Sequence, residues 1–379
     1  MTQMGIIPRC FLRADFFVYC KVLMKNKVYV AEITTILPHL FTSSEVVEIL
    51  YPKEIDGGRP HRFARRSVGA VGITYRPTIL AREAFPERAL ATPEYHPLEW
   101  GKRAVKELLQ SKKITKEDVG FLSIAYNIRC DKDVLPSLSS KIASASGLKL
   151  DYPPQEMAYL GCAAGLFSLE SSVKYCREHN KAAITFLFDQ CSWIANPTYD
   201  VDDPEFKENL KTTLLFADGA AGILVIPESM RDKFDLPLME VDEIITDFVS
   251  GGSLSMHEGK LVLEDNLKDT VPDIVHEKII KPLGVTPQNI DEWSLHQGGM
   301  PILMRFMEPE ILGLDEEQIS RSKSIFEKYG NFSSPSVMFV LETWFKEASR
   351  PLKDEKTRGC AISFGAGYFM GGMTYHWSK

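Results

Sequence analysis

Apolar and polar positions along the chain keep switching between strand-like and helix-like spacing. Val28 to Ile36 is a strand-like run. Ser43 to Tyr51 reads as a short helix, with Thr42 at the N-cap and Glu45 completing a capping-box pattern. A loop marked by Gly57, Gly58 and Pro60 follows, then the basic run His61, Arg62, Arg65 and Arg66. From Pro97 to Lys112 the apolar residues Leu98, Ala104, Leu108 and Leu109 recur at helical spacing. Val119 to Ala125 is apolar and strand-like, broken by Ser123 alone. Short apolar strands separated by helices predict an α/β fold with parallel strands.

The chain also echoes itself. Ile114 to Tyr126 resembles Val285 to Gln297, a capped turn leading into a buried strand, and the two begin 171 positions apart. Tyr159-Leu-Gly-Cys-Ala-Ala-Gly165 stands 170 positions before Tyr329-Gly-Asn-Phe-Ser-Ser-Pro335. Each leads into an apolar helix pattern carrying a glutamate, Glu170 or Glu342. Ala182–Phe188 and Gly359–Phe364 make a third pair. Similar segments in the same order at nearly constant offset predict two similar halves, 24–230 and 231–379.

Composition narrows the class. The 379 residues fit one large or two moderate domains, and 44% hydrophobic with 25% charged residues excludes wholesale disorder. Lys and Arg number 44 against 51 Asp and Glu, a net charge of −7 that gives no basis for nucleic acid as a partner. A local basic cluster still suits a small phosphorylated ligand. The seven cysteines form no C-x-x-C and no zinc-like spacing, and their odd number does not suit a disulfide framework. A reduced, cytoplasmic setting is expected. The apolar stretch Cys10 to Met24 is interrupted by Arg13, Asp15 and Lys21 and is too short to span a bilayer, so no membrane insertion is expected. Residues 1–23 are expected to be a flexible extension upstream of a working start at Met24.

Three residues could carry chemistry together. Cys162 follows the strand-like Glu156–Leu160 and opens a helix pattern between Gly161 and Gly165. A thiol there feels the positive end of the helix dipole, which favours thiolate, and backbone N–H groups there can receive an oxyanion. His296 ends the apolar strand Trp293–Leu295 ahead of Gly298 and Gly299. Asn331 stands in Tyr-Gly-Asn-Phe-Ser-Ser. Taken singly, each has an ordinary explanation: a small buried thiol, a loop histidine, a turn asparagine. Cys162 and Asn331, however, occupy nearly matching places in the two halves, and His296 ends the strand before Asn331. A thiol with two neutral donors suits acyl transfer from a thioester.

The motifs that hold these residues resemble a known family. Tyr-Leu-Gly-Cys162-Ala-Ala-Gly, Leu-His296-Gln-Gly-Gly-Met-Pro and Tyr-Gly-Asn331-Phe-Ser-Ser-Pro are similar to those of chalcone synthase-like type III polyketide synthases, in the thiolase superfamily. Phe216-Ala-Asp-Gly-Ala-Ala and Ser363-Phe-Gly-Ala-Gly367 match further landmarks, and order and spacing agree from about Leu98 onward. The resemblance implies a thiolase fold, α/β with two similar halves forming a five-layer αβαβα core, in a homodimer. It implies that Cys162 accepts the acyl group and that His296 and Asn331 stabilise the enolate formed from malonyl-CoA, with His296 also favouring the thiolate. Phe216 would be a gatekeeper, Gly365 and Gly367 would shape the cavity wall, and Thr198 and Ser333 would set cavity shape. No metal or redox cofactor is implied.

Departures from the family pattern bear on the substrate. Gln297 replaces a common proline, and Ser363 and Ala366 replace Gly and Pro of the glycine-rich loop. Trp193 stands where relatives carry a smaller or acidic residue, either narrowing the pocket or packing elsewhere. Leu261–Leu263 carries no aromatic for a second gatekeeper, which fits a roomier cavity and an aliphatic starter. Arg62, Arg65, Arg66 and Arg76 are the candidate contacts for CoA phosphates. The expected reaction is decarboxylative condensation of an acyl-CoA with malonyl-CoA, iteratively, to a pyrone, resorcinol or chalcone-like product. The alternatives are a single-condensation 3-oxoacyl synthase III-like enzyme using acyl carrier protein, and a non-catalytic acyl-CoA-binding homologue.

Overall fold

In the computed structural model the described residues are 26–82, 89–251, 254–257, 260–263, 266–348 and 356–378. The expected extension, 1–23, lies outside them. Strand β1 is Val28–Ile36, and the short strands β2 (Leu40–Thr42) and β3 (Tyr75–Pro77) pair with each other. Then follow β4 (Val119–Tyr126), β5 (Gln155–Ala158), β6 (Ala182–Gln190), β7 (Asp218–Pro227) and β8 (Leu238–Phe248). A small hairpin, β9 (Leu254–His257) and β10 (Lys260–Leu263), precedes β11 (Glu292–Leu295), β12 (Arg358–Phe364) and β13 (Phe369–Ser378).

The strand pairing repeats. On one side the order is β5-β4-β6-β7-β1, with β5, β4 and β6 parallel and β7 antiparallel to both β6 and β1. On the other it is β11-β12-β13-β8, with β11 and β12 parallel and β13 antiparallel to both β12 and β8. The two arrays meet where Tyr29 and Val30 of β1 pair with Glu240 and Met239 of β8. The echoed segments fall on equivalent elements: β4 and β11, β6 and β12, and the helices α5 (Ala164–Glu178) and α10 (Ser336–Ala348), numbered by their place in the chain.

Those two helices form the middle layer. Leu166, Leu169 and Val173 of α5 and Val337, Met338 and Leu341 of α10 share one core with inward residues of both arrays, such as Phe121, Ile223, Met239 and Met373. The opposite face of β4 packs Leu122 and Ile124 against Trp100 and Ile142 of the outer helices α3 (Pro97–Leu108) and α4 (Leu138–Ser146). A strand covered on both faces must be largely apolar, which explains the run of β4; its buried Ser123 hydroxyl accepts from Ser168 Oγ at 2.7 Å. Beyond the second array, Trp293 and Ile362 pack under α7 (Leu267–Val275) and α8 (Met300–Arg305). These are the five layers of the thiolase fold.

The paired glutamates lock the halves reciprocally. Glu170 of α5 accepts a 2.7 Å hydrogen bond from Thr246 of β8. Glu342 of α10 accepts from the Thr35 backbone at 3.0 Å and its hydroxyl at 2.8 Å, on β1. Each central helix thus reaches the equivalent strand of the other half.

Local expectations hold with small corrections. Helix α1 is Ser43–Leu50, and its capping box forms: Thr42 Oγ1 accepts from Glu45 N–H at 3.2 Å while the Glu45 carboxylate accepts from Thr42 N–H at 2.7 Å. The helix expected to reach Lys112 ends at Leu108, where Leu109 caps it and Lys112 turns at φ +57°. The basic run lies on α2 (Arg59–Val71), whose first turn accommodates Pro60. Helices α6 (Phe206–Leu215) and α9 (Glu316–Tyr329) complete the elements around the site.

Candidate active site

Beyond β5 the chain turns sharply, with Tyr159 at φ +66° and Gly161 at φ +58°. Cys162 lies in the tight turn Gly161–Ala163, one step before α5 rather than within it. Its sulfur therefore meets the helix N-terminus, where the backbone N–H groups are free of intrahelical partners. The end of β12 supports this turn from behind. Ser363 Oγ donates to the Cys162 carbonyl at 2.7 Å, and a Cβ on residue 365 would fall 2.3 Å from the Cys162 nitrogen. Only glycine fits at 365.

His296 arrives from β11. Leu295 pairs with Ile362, so the next residue stands beside Ser363, and His296 N–H donates to the Ile362 carbonyl at 2.9 Å. Its ring meets Phe364 edge-on with centroids 5.0 Å apart. Nδ1 is buried without a hydrogen-bond partner, and burial pushes the imidazole down to about 3, so it is neutral at neutral pH.

Asn331 arrives from the loop between α9 and α10. Its N–H donates to the Leu215 carbonyl at 3.0 Å and its carbonyl accepts from Ala217 at 2.8 Å, which ties it beside Phe216. Its side-chain oxygen accepts from Ser333 N–H at 2.7 Å and from Ser336 Oγ at 3.0 Å. Both are donors, so the amide Nδ2 faces the other way, and Asn331 acts to lower the Cys162 thiol. Ser333 Oγ lies 3.7 Å from Cys162 Sγ. Burial pushes that thiol up to about 12; the Ser333 and Asn331 hydrogen bonds pull it down, and buried Asp189 pushes it further up.

A cavity of about 390 Å³ opens over the thiol. Cys162, Phe216, Ser333 and Gly367 line it, with Val46 and Ile49 of α1. Other candidates lie elsewhere. Gly365 is the packing contact behind the nucleophile and is not part of the lining. Trp193 packs into the outer core of α3 and α4, which decides that alternative in favour of packing. Thr198 is half-buried, outside the lining, with Oγ1 unpartnered.

The arginines divide similarly. Arg62 is exposed and donates to the Gly57 carbonyl at 2.8 Å, Arg65 pairs with Glu48 at 2.7 Å, and Arg66 is exposed. None of the three lines the cavity. Arg76 does, but its guanidinium is buried and donates to the carbonyls of Leu214 at 2.6 Å and Thr213 at 3.0 Å. It holds the C-terminus of α6 and is not presented to a solvated phosphate; burial lowers it to about 10, partly opposed by Asp218. Arg82, which the sequence reading passed over, is exposed and lines the cavity.

Two more residues escaped the sequence reading. Asp189, next to last in the largely apolar β6, is fully buried and accepts from Asn127 N–H and Ile128 N–H at 2.7 Å each and from Ser334 Oγ at 2.7 Å. Asn127 Nδ2 donates to the Gly161 carbonyl at 3.0 Å, Asp189 at 3.0 Å and Ser333 Oγ at 3.2 Å. The available signal was a single carboxylate closing a run of buried apolar residues. Among the described residues no cluster of His, Cys, Asp and Glu could hold a metal ion, and no helix is long and apolar enough to cross a membrane.

Residues 238–377 match the family model of chalcone and stilbene synthases, C-terminal domain. The chain superposes on the crystal structure of PKS-I from the brown alga Ectocarpus siliculosus with a TM-score of 0.73 at 19% identity, covering 93% of this chain and 99% of that one. It also superposes on the C-terminal type III polyketide synthase domain of Steely1, a type I/III hybrid from Dictyostelium, with a TM-score of 0.69 at 18% identity, covering 93% and 99%. The two structures share the fold, and residues 238–377 are similar to the C-terminal domain of chalcone and stilbene synthases.

Proposed function

We propose that this protein is an acyltransferase that condenses an acyl-CoA starter with malonyl-CoA, iteratively, to a polyketide of the pyrone, resorcinol or chalcone-like kind. The observation that carries the reading is the Cys162 thiol, set at a helix N-terminus under a largely apolar cavity and flanked by Asn331. The Cys162 sulfur attacks the starter thioester carbonyl; the carbonyl re-forms as CoA leaves as its thiol, and the acyl group stays on Cys162. Malonyl-CoA then loses carbon dioxide, and the electron pair of the broken C–C bond moves onto the thioester oxygen. Asn331 Nδ2 and a ring N–H of His296 are the donors for that enolate, each worth roughly 3 kcal/mol of barrier in comparable sites. The enolate carbon attacks the acyl carbonyl, the Cys162 sulfur leaves, and the chain grows by two carbons on CoA. Phe216 disfavours the malonyl carboxylate by keeping water from it. No cofactor takes part.

Around this centre, residues 24–230 carry the nucleophile and 231–379 carry His296 and Asn331. Arg82, with Arg62, Arg65 and Arg66 on α2, would meet the CoA phosphates. Exposed Val134, Leu135 and Tyr159, at 71%, 85% and 74%, fit burial against a second copy in a homodimer. The five described cysteines are free and buried, which fits a cytoplasmic setting. The test is incubation with malonyl-CoA and short, long and aromatic acyl-CoAs, with products read by mass spectrometry and Cys162→Ala as control. Cys162-dependent products carrying two or more added units support the reading. Single-extension products, or products only with acyl carrier protein, replace it with the 3-oxoacyl synthase III-like reading.

A further inference from the structure

Buried polar atoms without a partner are concentrated where β11 delivers the histidine. Among the described residues Trp293 Nε1, Ser294 Oγ, His296 Nδ1 and both amide atoms of Gln297 are buried with no hydrogen-bond partner. In folded proteins nearly all such groups are paired, with protein or with ordered water. Strand alternation sorts these atoms by face. Trp293 and Leu295 point away from the site, into the core under α7 and α8. Ser294 pairs with Ala361, which belongs to the middle-layer core, and His296 stands beside Ser363, whose hydroxyl holds the Cys162 carbonyl. Ser294 and His296 therefore share the face turned to the thiol.

Two residues apart on a strand, their Cα atoms lie about 6.6 Å from each other. One water with a hydrogen bond of about 2.8 Å on each side spans about 5.6 Å, enough to join Ser294 Oγ to His296 Nδ1. Both residues are sealed from solvent, so a water between them is trapped. The other groups around the site give Nδ1 nothing. Phe364 of β12 meets the ring edge-on, and the Ser363 hydroxyl is spent on a carbonyl. Ser322 of α9 accepts from Leu295 N–H at 3.0 Å. Asn331 and Ser333, from the loop before α10, and the buried carboxylate of Asp189, near the end of β6, act on Cys162.

The ring has two tasks with opposite demands on Nδ1. To take the Cys162 proton on Nε2, leaving the electron pair on sulfur, the neutral ring must hold its own proton on Nδ1, and the resulting cation donates from there. To donate from Nε2 to the enolate as a neutral ring, it must accept at Nδ1. A carbonyl at Nδ1 would serve only the first state and a backbone N–H only the second, whereas water held by a hydroxyl donates or accepts as the ring requires. We propose that Ser294 is a positioning residue for His296, holding an ordered water on Nδ1 that supports both states. This role rests on Cys162 and His296 working together in the proposed reaction, but its effect on the thiol is measured without turnover.

The experiment is a double-mutant cycle on the pH midpoint of Cys162 alkylation by iodoacetamide, read on the Cys162 peptide by mass spectrometry so that other cysteines do not enter. His296→Gln should raise the midpoint by removing the base. Ser294→Ala deletes one oxygen and should raise it by about half a unit to one unit, roughly three- to tenfold less thiolate at a given pH, because the cation loses its Nδ1 partner. In the His296→Gln background Ser294→Ala should change the midpoint no further. An unchanged midpoint in Ser294→Ala overturns the proposal, as does an equal shift with and without His296. A crystal structure of the wild-type protein gives a second reading that needs no variant. Ordered water within about 3 Å of both Ser294 Oγ and His296 Nδ1 is expected, and a dry gap or a different partner on Nδ1 overturns the proposal. A His296-dependent shift in a protein that makes no polyketide sustains the role of Ser294 and removes the reaction, whereas polyketide products with no shift do the reverse.

Discussion

The neutral, buried His296 makes stability depend on pH in a definite direction. An imidazole with an ordinary value of 6.5 is held at about 3 in the folded chain by desolvation. A base with a depressed folded value contributes stability that is complete above its unfolded value and is lost as pH falls toward its folded value. The full linkage across that window is about 5 kcal/mol, and about 3 kcal/mol of it is lost by roughly pH 4.5. His296→Gln removes the titration while keeping a polar side chain of related size. Urea unfolding of both proteins at about pH 7 and about pH 4.5 should show the wild type losing about 3 kcal/mol more than the variant over that interval. The comparison isolates His296, since the carboxylates titrate in both proteins. A constant difference would refute the reasoning, because the imidazole would then be as well solvated folded as unfolded. A reversed trend, with wild type gaining relative stability as pH falls below about 7, would mean that a thiolate at Cys162 holds the ring as a cation.

Two further outcomes follow from contacts around the site. Gly365→Ala places a methyl group 2.3 Å from the Cys162 backbone nitrogen, so one of two packed backbone segments must move. It should destabilise the protein by roughly 1–3 kcal/mol or more and slow Cys162 alkylation; wild-type stability with wild-type alkylation would contradict the packing. Arg76→Met removes two hydrogen bonds to the end of α6 and the positive charge acting on Asp218, whose carboxyl burial already raises to about 6. Roughly 3–5 kcal/mol of stability should be lost in denaturant titration, whereas unchanged stability with a raised KM for acyl-CoA would restore Arg76 as a phosphate contact.

The repeat was legible because a duplicated fold reuses the same buried strands and helix caps, and those constrain local sequence. Ile114–Tyr126 and Val285–Gln297 do lead into equivalent strands, and Glu170 and Glu342 do occupy equivalent helices. The Thr42 capping box was readable for the same reason, since both partners lie within one turn. The identities of Phe216 and Ser333 as cavity residues followed from motif resemblance, and both do line the cavity.

What the local pattern could not contain is contact across distance. Arginines read alike by charge, yet Arg66 faces solvent while Arg76 is buried against carbonyls of a helix more than a hundred residues away. Gly365 resembled a cavity glycine and is instead the close approach behind Cys162. Trp193 could have narrowed the pocket or packed, and only the outer core decides that it packs. Asp189 looks like an isolated carboxylate until Asn127 and Ser334 converge on it from two other segments. The sequence by itself determined the periodicity, the duplication and the side chains with reactive chemistry, because these are set by neighbours along the chain. Tertiary structure decided which of those side chains are desolvated, oriented and brought to the thiol, because desolvation and hydrogen-bond direction are properties of the assembled core.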